Sequence, residues 1–289
     1  MSRRLDWSRE GRNWPNREAS RFVDAGSIRW HIQQMGSGPA ILLLHGTGAS
    51  SHSWRDIMPA LADDLCVIAP DLPGHAFTRS SQIHMSLPAM AKALWGLLDE
   101  LGTSPAMIAG HSAGAAIALQ MLHEREAAIP MIGFSPALAP FPGLGAQAFP
   151  LMAKLLFVNP LVPRLFSGFV RLSGETQRFL MRSTNSRIDA AGLRCYEMLL
   201  TNSAHCKGAL AMMANWNLEE FERRLPDIAN PVLLVHSDKD PAVPLASVRR
   251  ASERLANARL EILPNLGHLA HEERPEMAIA MIRSAHAEA

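Results

Sequence analysis

Ala106-Met107-Ile108-Ala109-Gly110-His111-Ser112-Ala113-Gly114-Ala115-Ala116-Ile117-Ala118-Leu119 decides the reading of this chain. An apolar run enters a Gly-x-Ser-x-Gly pentapeptide, and small residues suited to a helix follow. Alone, the pentapeptide occurs by chance. Between a strand and a helix it predicts a tight turn that exposes one hydroxyl, that of Ser112. Gly110 and Gly114 fit this reading, since a side chain at either would collide with neighbouring backbone. A helix starting at Ala113 also offers N–H groups and a positive dipole end to a developing oxyanion. The competing reading is Ser112 as a plain helix N-cap.

Working outward, strand-like runs alternate with helix-like ones. Ile28–Gln33 alternates apolar and polar residues, as a half-buried strand would. Ala40–Leu44, Leu65–Ala69, Met131–Phe134, Val232–Val235 and Arg259–Ile262 are further strand candidates. Short apolar runs read as strands buried on both faces, the mark of a parallel sheet. Amphipathic stretches at Leu87–Leu101 and Ala113–Arg125 lie between them. The alternation predicts an α/β fold, a mostly parallel, doubly wound sheet. The rhythm breaks from about 139 to 217, where helix-like pieces lie at Phe149–Phe157, Glu175–Met181, Ala190–Leu200 and Ala204–Ala214. The expected organisation is a core over 1–138, a helical cap over 139–217 inserted before the last two strands, and the rest of the core over 218–289.

Composition narrows the function classes. The 289 residues are 48% hydrophobic and 19% charged, which excludes a disordered chain. A net charge of +1 argues against an overall electrostatic grip on nucleic acid. The charge is unevenly placed. In the cap, eight cations (Lys154, Arg164, Arg171, Arg178, Arg182, Arg187, Arg194, Lys207) face Glu175, Asp189 and Glu197, an excess of five. The arm 1–21 holds six arginines against three acids. Three cysteines, Cys66, Cys195 and Cys206, make no disulfide framework and read as free thiols of a reducing compartment. The first 21 residues lack the apolar stretch of a signal peptide, and no run is long enough to span a membrane. A cytoplasmic location is expected.

A serine hydroxyl is a weak nucleophile that needs a base, and the base needs an orienting acid. On such a sheet they follow in the order serine, acid, histidine. The acid falls in His236-Ser237-Asp238-Lys239-Asp240-Pro241. Asp240 is preferred to Asp238 because the longer loop lets it reach past the next strand. The base falls in Leu263-Pro264-Asn265-Leu266-Gly267-His268, with His268 preferred to His271. Both lie just beyond strand C-termini, where open α/β sheets place their sites. His268, His271, Glu272 and Glu273 also admit a reading as a metal box, but no third cluster is spaced to complete one. The last three read as the start of the final helix, with acids in its first turn. An oxyanion hole needs two N–H groups, expected from Ala113 and from Thr47 in His45-Gly46-Thr47-Gly48. His45, Gly46, Gly48, Gly110, His111 and Gly114 would support these loops. No residue pattern codes for a metal or an organic cofactor.

His45-Gly46-Thr47-Gly48, Asp71-Leu72-Pro73-Gly74-His75, Gly110–Gly114, Asp240 and Gly267-His268 together resemble the α/β-hydrolase superfamily. The chain resembles most closely its BchO type, magnesium-chelatase accessory hydrolases of bacteriochlorophyll synthesis. Trp14-Pro15-Asn16-Arg17, His45–Arg55, Gly110–Ala116, Asn159-Pro160, Met212–Trp216 and Gly267–Pro275 carry that resemblance. It implies a role beside tetrapyrrole metal insertion, with chelatase components as partners. Ala76 stands where the common pattern has a second glycine, and Ser237 where many relatives have one. Serine rather than aspartate at the elbow favours acyl transfer over dehalogenation or epoxide opening.

The cap and its approach carry Pro140, Phe141, Pro142, Phe149, Met152, Phe157, Phe166, Phe169, Phe179, Met181, Met198, Met212, Met213 and Trp216. Flexible thioethers and aromatics suit a broad apolar pocket. The expected ligand is a bulky apolar molecule, with a porphyrin as the sharpest example. Three functions follow: a serine hydrolase, a non-catalytic tetrapyrrole-binding or chelatase-assisting protein, or a general carboxylesterase. The basic cap reads as a solvated surface, as loose contact with an anionic membrane surface or a partner, or as an attraction for acidic groups on the ligand, such as porphyrin propionates.

Overall fold

The apolar runs become the middle of one sheet. A computed structural model describes residues 4–80, 84–125, 128–139, 159 and 161–288. Its strands are β1 Ser20–Ala25, β2 Ile28–Met35, β3 Ala40–Leu44, β4 Cys66–Pro70, β5 Arg79–Ser80, β6 Pro105–His111, β7 Met131–Phe134, β8 Val232–Ser237 and β9 Ala258–Leu263. The order across the sheet is β1-β2-β4-β3-β6-β7-β8-β9, with β5 on β2. From β4 to β9 neighbours run parallel, and β1, β2 and β5 pair antiparallel.

The helices of the described residues are α1 Met58–Leu61, α2 Leu87–Glu100, α3 Ala113–Glu124, α4 Val162–Ser173, α5 Thr176–Thr184, α6 Ala190–Leu200, α7 Ser203–Asn215, α8 Leu218–Arg224, α9 Leu245–Arg254, α10 Ala270–Glu273 and α11 Pro275–Ala287. Side chains alternate across a strand, so β3 feeds two cores. Leu42 and Leu44 pack beneath α2, α3 and α9. Ile41 and Leu43 pack beneath α1 and α11. Along α2, Leu87, Met90, Ala91, Leu94, Leu97 and Leu98 are buried, the i, i+3, i+4 spacing of one helix face. This is the α/β hydrolase fold.

Several sequence expectations need correction. The alternating run at 28–33 is not half-buried: of its six residues only Arg29 is exposed. The outer face of β2 is covered by the N-terminal arm, whose Pro15 and Asn16 carbonyls accept from Gln33 Nε2 at 2.6 and 3.0 Å. That arm is no loose basic tail. Leu5 and Trp14 are buried against Phe77 and against Cys195 and Leu199 of α6. Its last residues open β1, which alternation alone did not announce. Cys66, which its apolar run Leu65–Ala69 would bury, is only partly buried, whereas Cys195 and Cys206 are buried thiols. Conversely, β9 is largely half-buried or exposed because it is an edge strand. Helix α4 was not anticipated. The expected helix at Phe149–Phe157, and Pro140, Phe141, Pro142 and Met152, lie outside the described residues.

Candidate active site

The strand order reverses at β3. The chain moves from β3 out to β4, then crosses back to β6 on the other side. Two strands whose connections leave in opposite directions open a crevice at their C-terminal ends. The His45–Gly48 loop and Ser112 border that crevice.

Ser112 joins β6 to α3 with φ 51° and ψ −113°, a region that costs a non-glycine residue energy. The flanking glycines explain how the turn is held. A Cβ on Gly114 would lie 2.2 Å from the Leu44 carbonyl oxygen, and one on Gly110 would lie 2.6 Å from the Ala115 nitrogen. A Cβ on Gly46 would lie 3.1 Å from that of Ser112. Helix α3 therefore sits directly on β3 and the Gly46 loop, with no room for a side chain at any of the three positions.

His45 shapes the loop opposite. It is fully buried, and its Nδ1–H donates to the Gly46 carbonyl at 2.8 Å. Its Nε2 accepts from the Leu72 amide at 2.9 Å. Those two bonds specify a neutral ring, and burial pushes its pKa down to about 4. The Gly46 carbonyl also accepts from the Ala49 amide at 3.1 Å. In a trans peptide the next N–H points away from the carbonyl. The Thr47 N–H is thus turned away from His45, and Thr47 and Ala113 both line the cavity described below.

Asp240 and His268 come from the loops after β8 and β9. His268 Nδ1–H donates to Asp240 Oδ2 at 2.7 Å. Asp240 Oδ1 accepts from the Ala242 and Val243 amides at 2.7 and 3.1 Å. Burial alone would raise the Asp240 carboxyl, but the His268 bond and the two amides outweigh it and hold it below its ordinary value. Asp238 is engaged elsewhere, accepting from the Asn265 amide at 2.7 Å. His271 is also elsewhere: it is fully buried, with its ring 4.4 Å from that of His111. His111 Nε2–H donates to the His268 carbonyl at 3.0 Å and so steadies that loop.

Ser112, Thr47, Ala113, His111 and His268 share the wall of a cavity of about 960 Å³. Its far side comes from the cap: Phe166, Phe179, Leu180, Met212, Met213 and Trp216. Phe169 instead faces outward.

The cap is fastened beside both loops, which sequence reasoning did not foresee. His205 of α7 donates through Nε2–H to the Gly48 carbonyl and accepts at Nδ1 from Ala76, both at 3.0 Å. Ala76 has φ 39°, which is why a glycine suits that position. On the other side, the His268 amide donates to the Thr184 carbonyl at 2.7 Å, and the Leu269 amide to Ser186 Oγ at 2.9 Å. Glu272 and Glu273 do lie in a helical first turn, and they also tie the helices of residues 161–217 to the sheet loops. Glu272 pairs with buried Arg55 at 2.8 Å and accepts from Tyr196 Oη at 2.7 Å. Burial raises its carboxyl to about 7 against the pull of Arg55. Glu273 accepts from the Gly267 and Arg187 amides. Tyr196 is the only tyrosine in the chain, a signal that sequence reading could have weighed.

Residues 39–275 match the family model of the alpha/beta hydrolase fold. A magnesium-chelatase 30 kDa subunit from Rhodobacter capsulatus is 40% identical, over 93% of this chain and 95% of that protein. A 2-hydroxy-6-oxo-6-phenylhexa-2,4-dienoate hydrolase from Comamonas testosteroni is 30% identical, over 88% of this chain and 89% of that one. Among solved structures, an alpha/beta hydrolase fold protein from Burkholderia ambifaria shares the fold with a TM-score of 0.77 at 22% identity, covering 98% of this chain and 100% of that chain. The chain belongs to the alpha/beta hydrolase family and is similar within it to the magnesium-chelatase-associated BchO type.

Proposed function

We propose that the protein is a serine hydrolase that cleaves an ester or related acyl bond of a bulky apolar substrate. The observation that carries this reading is the 2.7 Å bond from His268 Nδ1 to a buried Asp240, beside a strained Ser112 on one cavity wall. With Nδ1 protonated, His268 Nε2 is free to take the Ser112 proton. Ser112 Oγ then attacks the acyl carbon, and the oxyanion is held by the Thr47 and Ala113 N–H groups. His268 returns the proton to the departing alkoxide, leaving an acyl-serine. Water, deprotonated by His268, releases the acid and restores Ser112. Asp240 keeps the imidazole oriented and stabilises its charged form.

The cavity's volume and its aromatic and thioether walls support a ligand larger than a simple ester. The magnesium-chelatase name of the Rhodobacter capsulatus relative supports a tetrapyrrole ligand and chelatase components as partners; a cytoplasmic location is part of the same reading. The same name favours a second reading, a tetrapyrrole-binding or chelatase-assisting protein that does not turn over.

Labelling with a fluorophosphonate probe separates the two. The hydrolase reading expects labelling of the wild type that is lost in both Ser112→Ala and His268→Ala. An unlabelled, folded wild type overturns it. Quenching of tryptophan fluorescence by protoporphyrin in Ser112→Ala would support the tetrapyrrole assignment, and its absence would leave a general carboxylesterase.

A further inference from the structure

Six large apolar side chains stand out as strongly exposed among the described residues, and five of them are Leu161, Leu165, Phe169, Leu172 and Phe179. Leu172 is 90% exposed, Leu165 69% and Phe169 65%. Residues 161, 165, 169 and 172 recur at helical spacing, so they form one stripe along α4 and the residue preceding it. Such a concentration of exposed apolar surface marks an interaction site.

The rest of the helix shows what the stripe faces. At ~100° per residue, Val162 and Phe166 border it on one side, and both line the cavity that holds Ser112. Arg164 and Arg171 border it on the other side, and both are exposed. Pro163, Ser167 and Val170 point inward and are buried. Exposed Arg178 and Arg182 follow on α5, beside Phe179, which also lines the cavity. Across 161–184 four arginines meet a single acid, Glu175, which pairs with Arg178. Arg171 also donates to the Thr201 carbonyl at 3.0 Å.

We propose that α4, with Phe179, is an interfacial docking face that seats the cap on an anionic lipid surface. The apolar stripe enters the boundary between headgroups and acyl chains to a depth of ~5–10 Å. The arginine row then meets anionic headgroups. Charge favours this occupant over a second copy of the chain, since two such faces would bring their arginines together. The stripe also runs without a polar break into the cavity wall, so an apolar ligand dissolved in lipid has an apolar way in. Docking itself does not rest on the hydrolase reading and is measured without turnover.

The test is flotation of the full-length protein with vesicles of phosphatidylcholine alone and of phosphatidylcholine mixed with phosphatidylglycerol. Binding is expected to be at least about tenfold tighter to the anionic vesicles and to weaken with added salt. Leu165→Ser/Leu172→Ser and Arg164→Glu/Arg171→Glu should each lower binding by roughly tenfold or more. Both alter exposed side chains, so each should keep the wild-type thermal midpoint. Equal binding to both vesicle types, no binding to either, or undiminished binding by a folded double variant overturns the proposal. So does light scattering that shows a wild-type dimer lost in Leu165→Ser/Leu172→Ser, which would assign the stripe to a second copy.

Discussion

At Ser112 the backbone adopts φ 51° and ψ −113°, a conformation costing of order 1–3 kcal/mol. It persists because α3 lies against β3 through Gly114 and against β6 through Gly110. Gly114→Ala places a methyl 2.2 Å from a backbone oxygen, which no rotamer change relieves. We expect it to cost more than ~3 kcal/mol, beyond ordinary single substitutions, read as a drop in the urea midpoint. The two aspartates after β8 separate cleanly. Asp240→Asn should lower kcat by roughly 10⁴, because an amide does not hold the His268 tautomer. Asp238→Asn keeps an acceptor for the Asn265 amide and should change kcat by no more than about twofold. Ester hydrolysis by the two purified variants checks both.

Among the elements, α6 and α10 meet over a buried ion pair. Arg55 and Glu272 are nearly inaccessible; Asp189 accepts from Arg55 and Tyr196 donates to Glu272, while the buried Arg55 Nε has no partner among the described residues. A buried pair gains little overall, but removing one member strands the other. Glu272→Ala should therefore cost ~3–5 kcal/mol. Arg55→Met/Glu272→Leu should cost markedly less, because it leaves no unpaired charge. Denaturant titration of the four forms in a double-mutant cycle measures the difference; equal losses in both would refute a stranded-charge origin. Glu272 lies four residues from His268, so the same cycle followed by kcat tests whether these contacts position the proposed base. The pairing itself was not readable in advance. Arg55, Tyr196 and Glu272 are far apart in sequence, and each alone looks like an ordinary surface residue or helix-end acid.

The whole molecule buries an unusual set of histidines. Burial, the largest influence on each, holds His45, His52, His75, His111, His205 and His271 below the ordinary imidazole value. His45 and His205 fall to about 4 and His271 to about 3. In the unfolded chain these rings titrate near ~6.5. Below that pH the unfolded state binds more protons than the folded one, so stability falls as pH falls. The raised Glu272 carboxyl pulls the other way, but it is one group against six. Stability should therefore be lower at about pH 5 than at about pH 7. Urea titrations followed by circular dichroism at the two pH values read the difference, and equal midpoints contradict this account. Much of the molecule was legible locally. Apolar runs specify parallel strands because both faces of an inner strand must be dry, and Gly110-His111-Ser112-Ala113-Gly114 specifies the elbow because only glycine fits beside it. The order of motifs along the chain also named Ser112, Asp240 and His268 as candidates, and the structure shows the His268–Asp240 bond and sets Ser112 and His268 on one cavity wall. What only the tertiary structure decided is what covers what. Whether the arm lies on β2, whether Glu272 faces water or Arg55, and whether the cap histidine grips Gly48 depend on side chains distant in sequence. Each such contact is set by surfaces that exist only after the sheet has formed.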